Sequence, residues 1–285
     1  MNKSLITWEE AVLWLRSQPE QRELVRACYY DDPLLEATKR FEASEEWQAV
    51  REILPRGTGR ALDLGAGRGI SSYALAKAGW QVDALEPDAS SIVGRGAIEE
   101  VARASVLPIQ PLEGFAEKIP VADEVYDLVY GRQVMHHAHS LQTMCNEIFR
   151  VLKPGGTFIA TREHVISRKE DLPVFLANHA LHHLYGGENA FLLKEYLSAV
   201  GWAGLKIECI FGQFDTPINY FPLSKMQWLD EIQYPLAKWL GRPITRVLLS
   251  DSFPWSEYVN GKLSSRASRR DQTPGRLYSF IAVKP

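Results

Sequence analysis

Residues Arg60 to Ser72 read RALDLGAGRGISS, so Gly65, Gly67 and Gly69 fall within five positions, straight after a short apolar run. Glycines in such a place let a backbone approach a ligand closely. A phosphate-cradling P-loop needs a Lys-Ser/Thr pair after its last glycine, and here Gly69 is followed by Ile70 and Ser71. A dinucleotide fingerprint runs G-x-G-x-x-G, and these glycines run G-x-G-x-G, one residue short. Tyr73 and Lys77 have the Tyr-x-x-x-Lys spacing of some hydride-transfer enzymes. They fall in the helix directly after the glycines, on the helix side of any sheet and away from a substrate. The glycines therefore point to a ligand that sits on bare backbone without a phosphate to bind.

Histidines form the second group that could do chemistry, because an imidazole can exchange a proton near neutral pH. His164 ends a predicted strand, at the carboxyl edge where open sheets bind ligands, and is the expected base. The stretch NHALHHLYGGENAF adds His179, His182, His183, Tyr185 and Glu188 over the same edge, with His183 and Tyr185 as alternative bases. His136 and His137 are expected to pack and hydrogen-bond beneath a ligand, and His139 to lie at the surface. His179 and His183 have the i, i+4 spacing of a metal pair, but no third ligand is apparent, so no metal is expected. Arg266, Arg269, Arg270 and Arg276 could meet a phosphorylated acceptor, or could be a solvated loop.

The elements that must position these residues alternate. Residues from about 7 to 54 read as helices, with Pro33 interrupting and PRGTG closing the region. From Arg60 onward, RALDLG, WQVDALEP, VLPIQPLEG, VYDLVYG and TFIATREH read as strands with helical segments between them. ENAFLLKEYLSAVGW (helix) and LKIECIF (strand) follow, then about sixty residues before the last strand, RLYSFIAVKP. Strands alternating with helices imply an α/β fold with a doubly wound, mostly parallel, seven-stranded sheet and helices on both faces. A helical lid is expected over residues 1–55 and the main domain over 56–285. Segments of about 165–187 and 212–275 are expected to cover the substrate.

LDLGAGRG resembles the first motif of class I S-adenosylmethionine-dependent methyltransferases, with Asp63 two positions before the first glycine. Glu86 stands in ALEPD nineteen residues after Gly67, GFAEKIPVADEVYDLVYGRQVMHH resembles the family's adenine segment and fourth strand, and IFRVLKPGGTFIATREH resembles its fifth-strand entry. The resemblance covers roughly residues 60 to 211 plus the last strand. It implies S-adenosylmethionine as cofactor, held by Asp63, Gly65, Ala66, Gly67, Glu86, Pro87, Ala116, Glu117, Gly131 and Arg132. Glu86 would accept both ribose hydroxyls, and Asp63 would serve the sulfonium or amino end, directly or through water. Where the family commonly has an adenine-binding aspartate, this chain has Phe115, which leaves backbone around Ala116, with Glu117, for that contact. Tyr29, Tyr30 and Arg40 are lid candidates for the methionine carboxylate.

The resemblance implies methyl transfer to a small molecule. The fourth strand ends in YGRQ, not the Asn/Asp-Pro-Pro-Tyr of enzymes that methylate nucleobase amino groups, so a hydroxyl of a sugar or secondary metabolite is the expected acceptor. The alternatives are a catalytically silent cofactor- or partner-binding protein of this fold and, further off, a dinucleotide oxidoreductase. A formal net charge of −3 argues against nucleic acid. No 18-residue apolar run and no signal-peptide layout argue against a membrane. Three scattered cysteines, Cys28, Cys145 and Cys209, fit a reducing cytoplasm. A homodimer is one possible assembly.

Overall fold

The structure, a computed structural model, describes residues 5–250 and 252–285, so the first four residues of the expected lid lie outside it. Its strands are β1 (Arg60–Leu64), β2 (Gln81–Leu85), β3 (Ile109–Leu112), β4 (Tyr126–Arg132), β5 (Leu152–Ile166), β6 (Phe191–Leu192), β7 (Lys206–Phe211) and β8 (Arg276–Val283). Seven of them run in the order β3-β2-β1-β4-β5-β8-β7, and the two-residue β6 pairs with β5 off this path. All pairings are parallel except those of β8 with β5 and β7.

Alternate side chains of each strand feed two separate cores, as the two-residue period of a strand requires. Leu62 and Leu64 of β1, Val129 of β4 and Phe158 and Ala160 of β5 face helices Leu141–Val151 and Leu193–Trp202. Ala61, Leu128, Tyr130 and Ile159 face the other way, toward helices Ile70–Lys77 and Arg95–Ser105. The strand order reverses at β1 and β4, and open sheets bind ligands at the carboxyl ends of strands at such a point.

The amino-terminal helices divide into two parts. Leu34–Glu42 and Glu45–Ile53 belong to the second core, where Phe41, Trp47 and Val50 are fully buried. Trp8–Ser17, started by a Thr7–Glu10 capping box, instead packs beside the His182–Tyr185 turn. The 212–275 segment expected to cover the substrate is mostly helical: Pro217–Tyr220, Lys225–Leu240, Arg242–Leu248 and Ser256–Arg270.

Candidate active site

A cleft of about 380 Å³ opens at the strand-order reversal. Its floor is the glycine-rich turn. Gly65 has φ +63°, and a Cβ there would drive into the Val134 side chain, so only glycine fits without rearrangement. Gly67 has φ +53°, and a Cβ there would meet nothing within 4 Å, because the space beyond it is the cleft itself. The turn thus presents bare backbone to whatever occupies the cleft.

Glu86 stands at the rim, just past β2. Its Oε2 accepts from the Gly67 amide at 2.9 Å and its Oε1 from the Asp88 amide at 3.0 Å. Each oxygen keeps a lone pair, so the carboxylate is fixed in orientation and still able to accept from a diol. Burial raises its pKa, against the opposing pull of the two amides. Asp63 lies beneath the turn and is not part of the cleft wall. It accepts from Ser72 Oγ at 2.5 Å, and burial, reinforced by the Glu86 charge, pushes its pKa up to about 7.

Of the other expected cofactor contacts, Ala66, Pro87, Ala116, Glu117 and Arg132 line the cleft, as does Phe115. Glu117 accepts from the His139 amide at 2.9 Å. Gly131 is buried in β4 behind the wall, where its carbonyl accepts from Thr161 Oγ1. Arg132 is not a free cation. Its Nε and a terminal nitrogen donate to Glu46 at 2.6 and 3.0 Å, and its other terminal nitrogen donates to Gln133. Burial alone would raise the Glu46 pKa, but the Arg132 and Arg162 guanidiniums hold it below the ordinary value.

The amino-terminal segment closes one side. Trp8, Cys28, Tyr29 and Tyr30 line the cleft, whereas Arg40 turns away to a bidentate pair with Asp31. Arg68, inside the glycine turn and 5% exposed, reaches into this segment. It donates to the Tyr29 and Asp31 carbonyls at 2.8 and 3.0 Å and to Asp32 Oδ1 at 2.6 Å.

The expected bases separate. Tyr185 lines the cleft, its hydroxyl donating to Glu188 Oε1. His183 is exposed, edge-on to Trp14. His164 sits behind the wall with its Nδ1 on the Gly275 carbonyl at 2.8 Å, and burial with the neighbouring His136 lowers its pKa to about 3. His179 and His183 do not share a helix face, because one helix ends at Asn178 and the next starts at His182. Among the described residues of 212–275 none lines the cleft. Ile218 joins the second core instead, while Lys262, Arg266, Arg269 and Arg270 line a separate depression on their own helix.

Two groups to which sequence reading gave no chemical role are central. His137 lines the cleft, and its Nδ1 lies 3.0 Å from the Gly187 carbonyl. A carbonyl can only accept, so Nδ1 carries the proton and Nε2 the lone pair. Glu163, fully buried, accepts from the amides of Val134, Met135 and His136 and from His136 Nδ1 at 2.8 Å. It thereby shapes the turn that carries His136 and His137. Its place in the polar run Thr161–His164 gave no local signal that it is buried.

A family model described as a methyltransferase domain matches residues 62–160. The chain is similar to a ubiquinone biosynthesis O-methyltransferase of Rhizobium etli (strain CIAT 652), 28% identical over 172 residues, covering 58% of this chain and 68% of that protein. It is also similar to an uncharacterized methyltransferase of Mycobacterium tuberculosis (strain ATCC 25618 / H37Rv), 33% identical over 120 residues, covering 42% of this chain and 46% of the relative. A geranyl diphosphate C-methyltransferase from Streptomyces coelicolor A3(2), solved with Mg2+, geranyl diphosphate and S-adenosyl-L-homocysteine, has the same fold. Its TM-score is 0.58 at 14% identity, over 94% of this chain and 86% of that one.

Proposed function

Since this chain is a class I S-adenosylmethionine-dependent methyltransferase acting on a small molecule, we propose that it methylates a hydroxyl oxygen, with His137 as the base. The observation that carries this reading is the His137 ring, on the cleft wall with its proton held at Nδ1 by Gly187 and its Nε2 lone pair free. The O-methyltransferase name of the Rhizobium relative supports it. S-adenosylmethionine supplies a methyl group already activated on a sulfonium. The chain supplies the rest. Glu86 would accept the two ribose hydroxyls, the bare backbone of Gly65–Gly67 would hold the methionine and ribose parts, and Phe115 with the Ala116 backbone and Glu117 would hold the adenine.

His137 would take the proton of the acceptor hydroxyl on its Nε2 as that oxygen is methylated, and would pass it to water. His164 is the weaker candidate, being buried behind the wall with a pKa near 3. Alignment and exclusion of water supply the remaining acceleration, and the Trp8–Tyr30 segment together with the 165–187 segment forms the cover. A methyl-transfer screen over phenols, sugars and hydroxy acids tests the proposal. It expects turnover with at least one hydroxyl acceptor. Exclusive transfer to nitrogen or carbon acceptors refutes it.

A further inference from the structure

Behind His137 and Tyr185, three electron-pair donors converge with no hydrogen between them. His136 Nδ1 faces Glu163, whose carboxylate already accepts three backbone amides, so Nδ1 carries the proton and Nε2 the lone pair. His164 Nδ1 faces the Gly275 carbonyl, so its Nε2 is likewise a lone pair. Glu188 is 9% exposed. Its Oε1 takes the Tyr185 hydroxyl, and its Oε2 is buried without any hydrogen-bond partner, 3.7 Å from His136 Nε2. One ligand atom from each of His136, His164 and Glu188 lies within 4.8 Å of the other two. Lone pairs that face one another in a buried site repel unless a cation lies between them.

We propose that His136, His164 and Glu188 bind a divalent first-row transition ion of the zinc type. Two imidazoles and one carboxylate are the donors that such ions take, whereas Mg2+ and Ca2+ prefer all-oxygen sets. Metal-binding histidines almost always donate their other ring nitrogen to a carboxylate or a backbone carbonyl. Glu163 and Gly275 occupy those two places here. Tetrahedral bonds of about 2.0–2.1 Å set ligand atoms roughly 3.3 Å apart. Closure therefore asks for a contraction of about 1.5 Å at most, which the Glu188 segment, leading into the two-residue β6, is placed to supply. His179 takes the Leu181 amide on its Nδ1 and so carries its proton on Nε2, 3.7 Å from Glu188 Oε2, which leaves the fourth position to solvent.

The test uses the full-length, tag-free chain, stripped by a chelator and titrated with Zn2+ and with Co2+. The expected result is one ion per chain, a rise in thermal midpoint, and visible Co2+ bands of a four- or five-coordinate site, with no effect of Mg2+. Glu188→Gln and His164→Gln should each weaken Zn2+ binding at least tenfold, Glu163→Gln should weaken it about 10- to 100-fold through His136, and His183→Ala should leave it unchanged. Failure of the wild-type chain to bind stoichiometrically overturns the proposal and leaves a proton as the cation of the cluster. So does binding that survives both Gln substitutions of the ligands or follows His183.

Discussion

Glu46 offers the sharpest test of how this site is held. Its carboxylate is completely buried on helix Glu45–Ile53 and takes two short bonds from Arg132, with Arg162 at 3.7 Å. Both guanidiniums are only 11% exposed. Glu46→Ala leaves them buried without their counter-charge, and removing one partner of a buried pair costs about 3–5 kcal/mol. For a chain of this size that corresponds to a fall in thermal midpoint of roughly 5–8 °C. Glu46→Gln should recover little of it, because the carboxamide restores volume but not charge. The stabilisation should also depend on pH. The folded pKa of Glu46 is depressed, so its contribution is present above the ordinary carboxylate range and disappears as the pH falls through the folded value. Urea unfolding followed by tryptophan fluorescence gives the free energies directly. A loss under about 1 kcal/mol in Glu46→Ala, or near-complete rescue by Gln, would refute the argument that charge pairing rather than packing ties this helix to β4.

Glu86→Ala should weaken S-adenosylhomocysteine binding by about 1.5–3 kcal/mol, roughly 10- to 150-fold in Kd by calorimetry, and an unchanged Kd removes it from the ribose site. Asp63, with its pKa raised to about 7 in the folded chain, favours the protonated form, so its contribution is complete below its ordinary pKa and fades as the pH rises to 7. Between pH 5 and 7.5 the wild-type chain should therefore lose about 3 kcal/mol more stability than Asp63→Asn, and parallel profiles would show that Asp63 ionises freely. His137→Ala should lower turnover of a hydroxyl acceptor by about 10²–10⁴-fold with cofactor Kd nearly unchanged. Full activity in that variant returns the proton to solvent and makes the step one of alignment alone.

How far the chain could be read in advance follows from the range of the interactions. Glycine spacing, the carboxylate after the second strand and the alternation of strands and helices are local patterns, and each stands in the structure where it was read. Glu46 falls in the helix start SEEW, where nothing local marks it as a buried ion-pair partner, because Arg132 is 86 residues away. His137 could be seen but not ranked against His164, since burial and tautomer depend on Gly187 and Gly275, contributed by distant segments. The helices of 217–270 were hidden by Pro235 inside one of them and by the Ser/Arg-rich Ser256–Arg270, whose mean hydrophobic character is too low to mark a stripe.

Arg68 gives this arrangement a thermodynamic consequence. One guanidinium, rooted in the turn proposed to carry the cofactor, donates to two carbonyls and a carboxylate of the segment that walls the other side. Occupancy of the turn and order in that segment are therefore linked functions, and linkage works equally in both directions. Whatever the cofactor gains from an ordered Tyr29–Asp32, that segment gains from the cofactor. An affinity measured for this protein thus contains the folding free energy of its amino-terminal wall as well as the contacts made by the ligand.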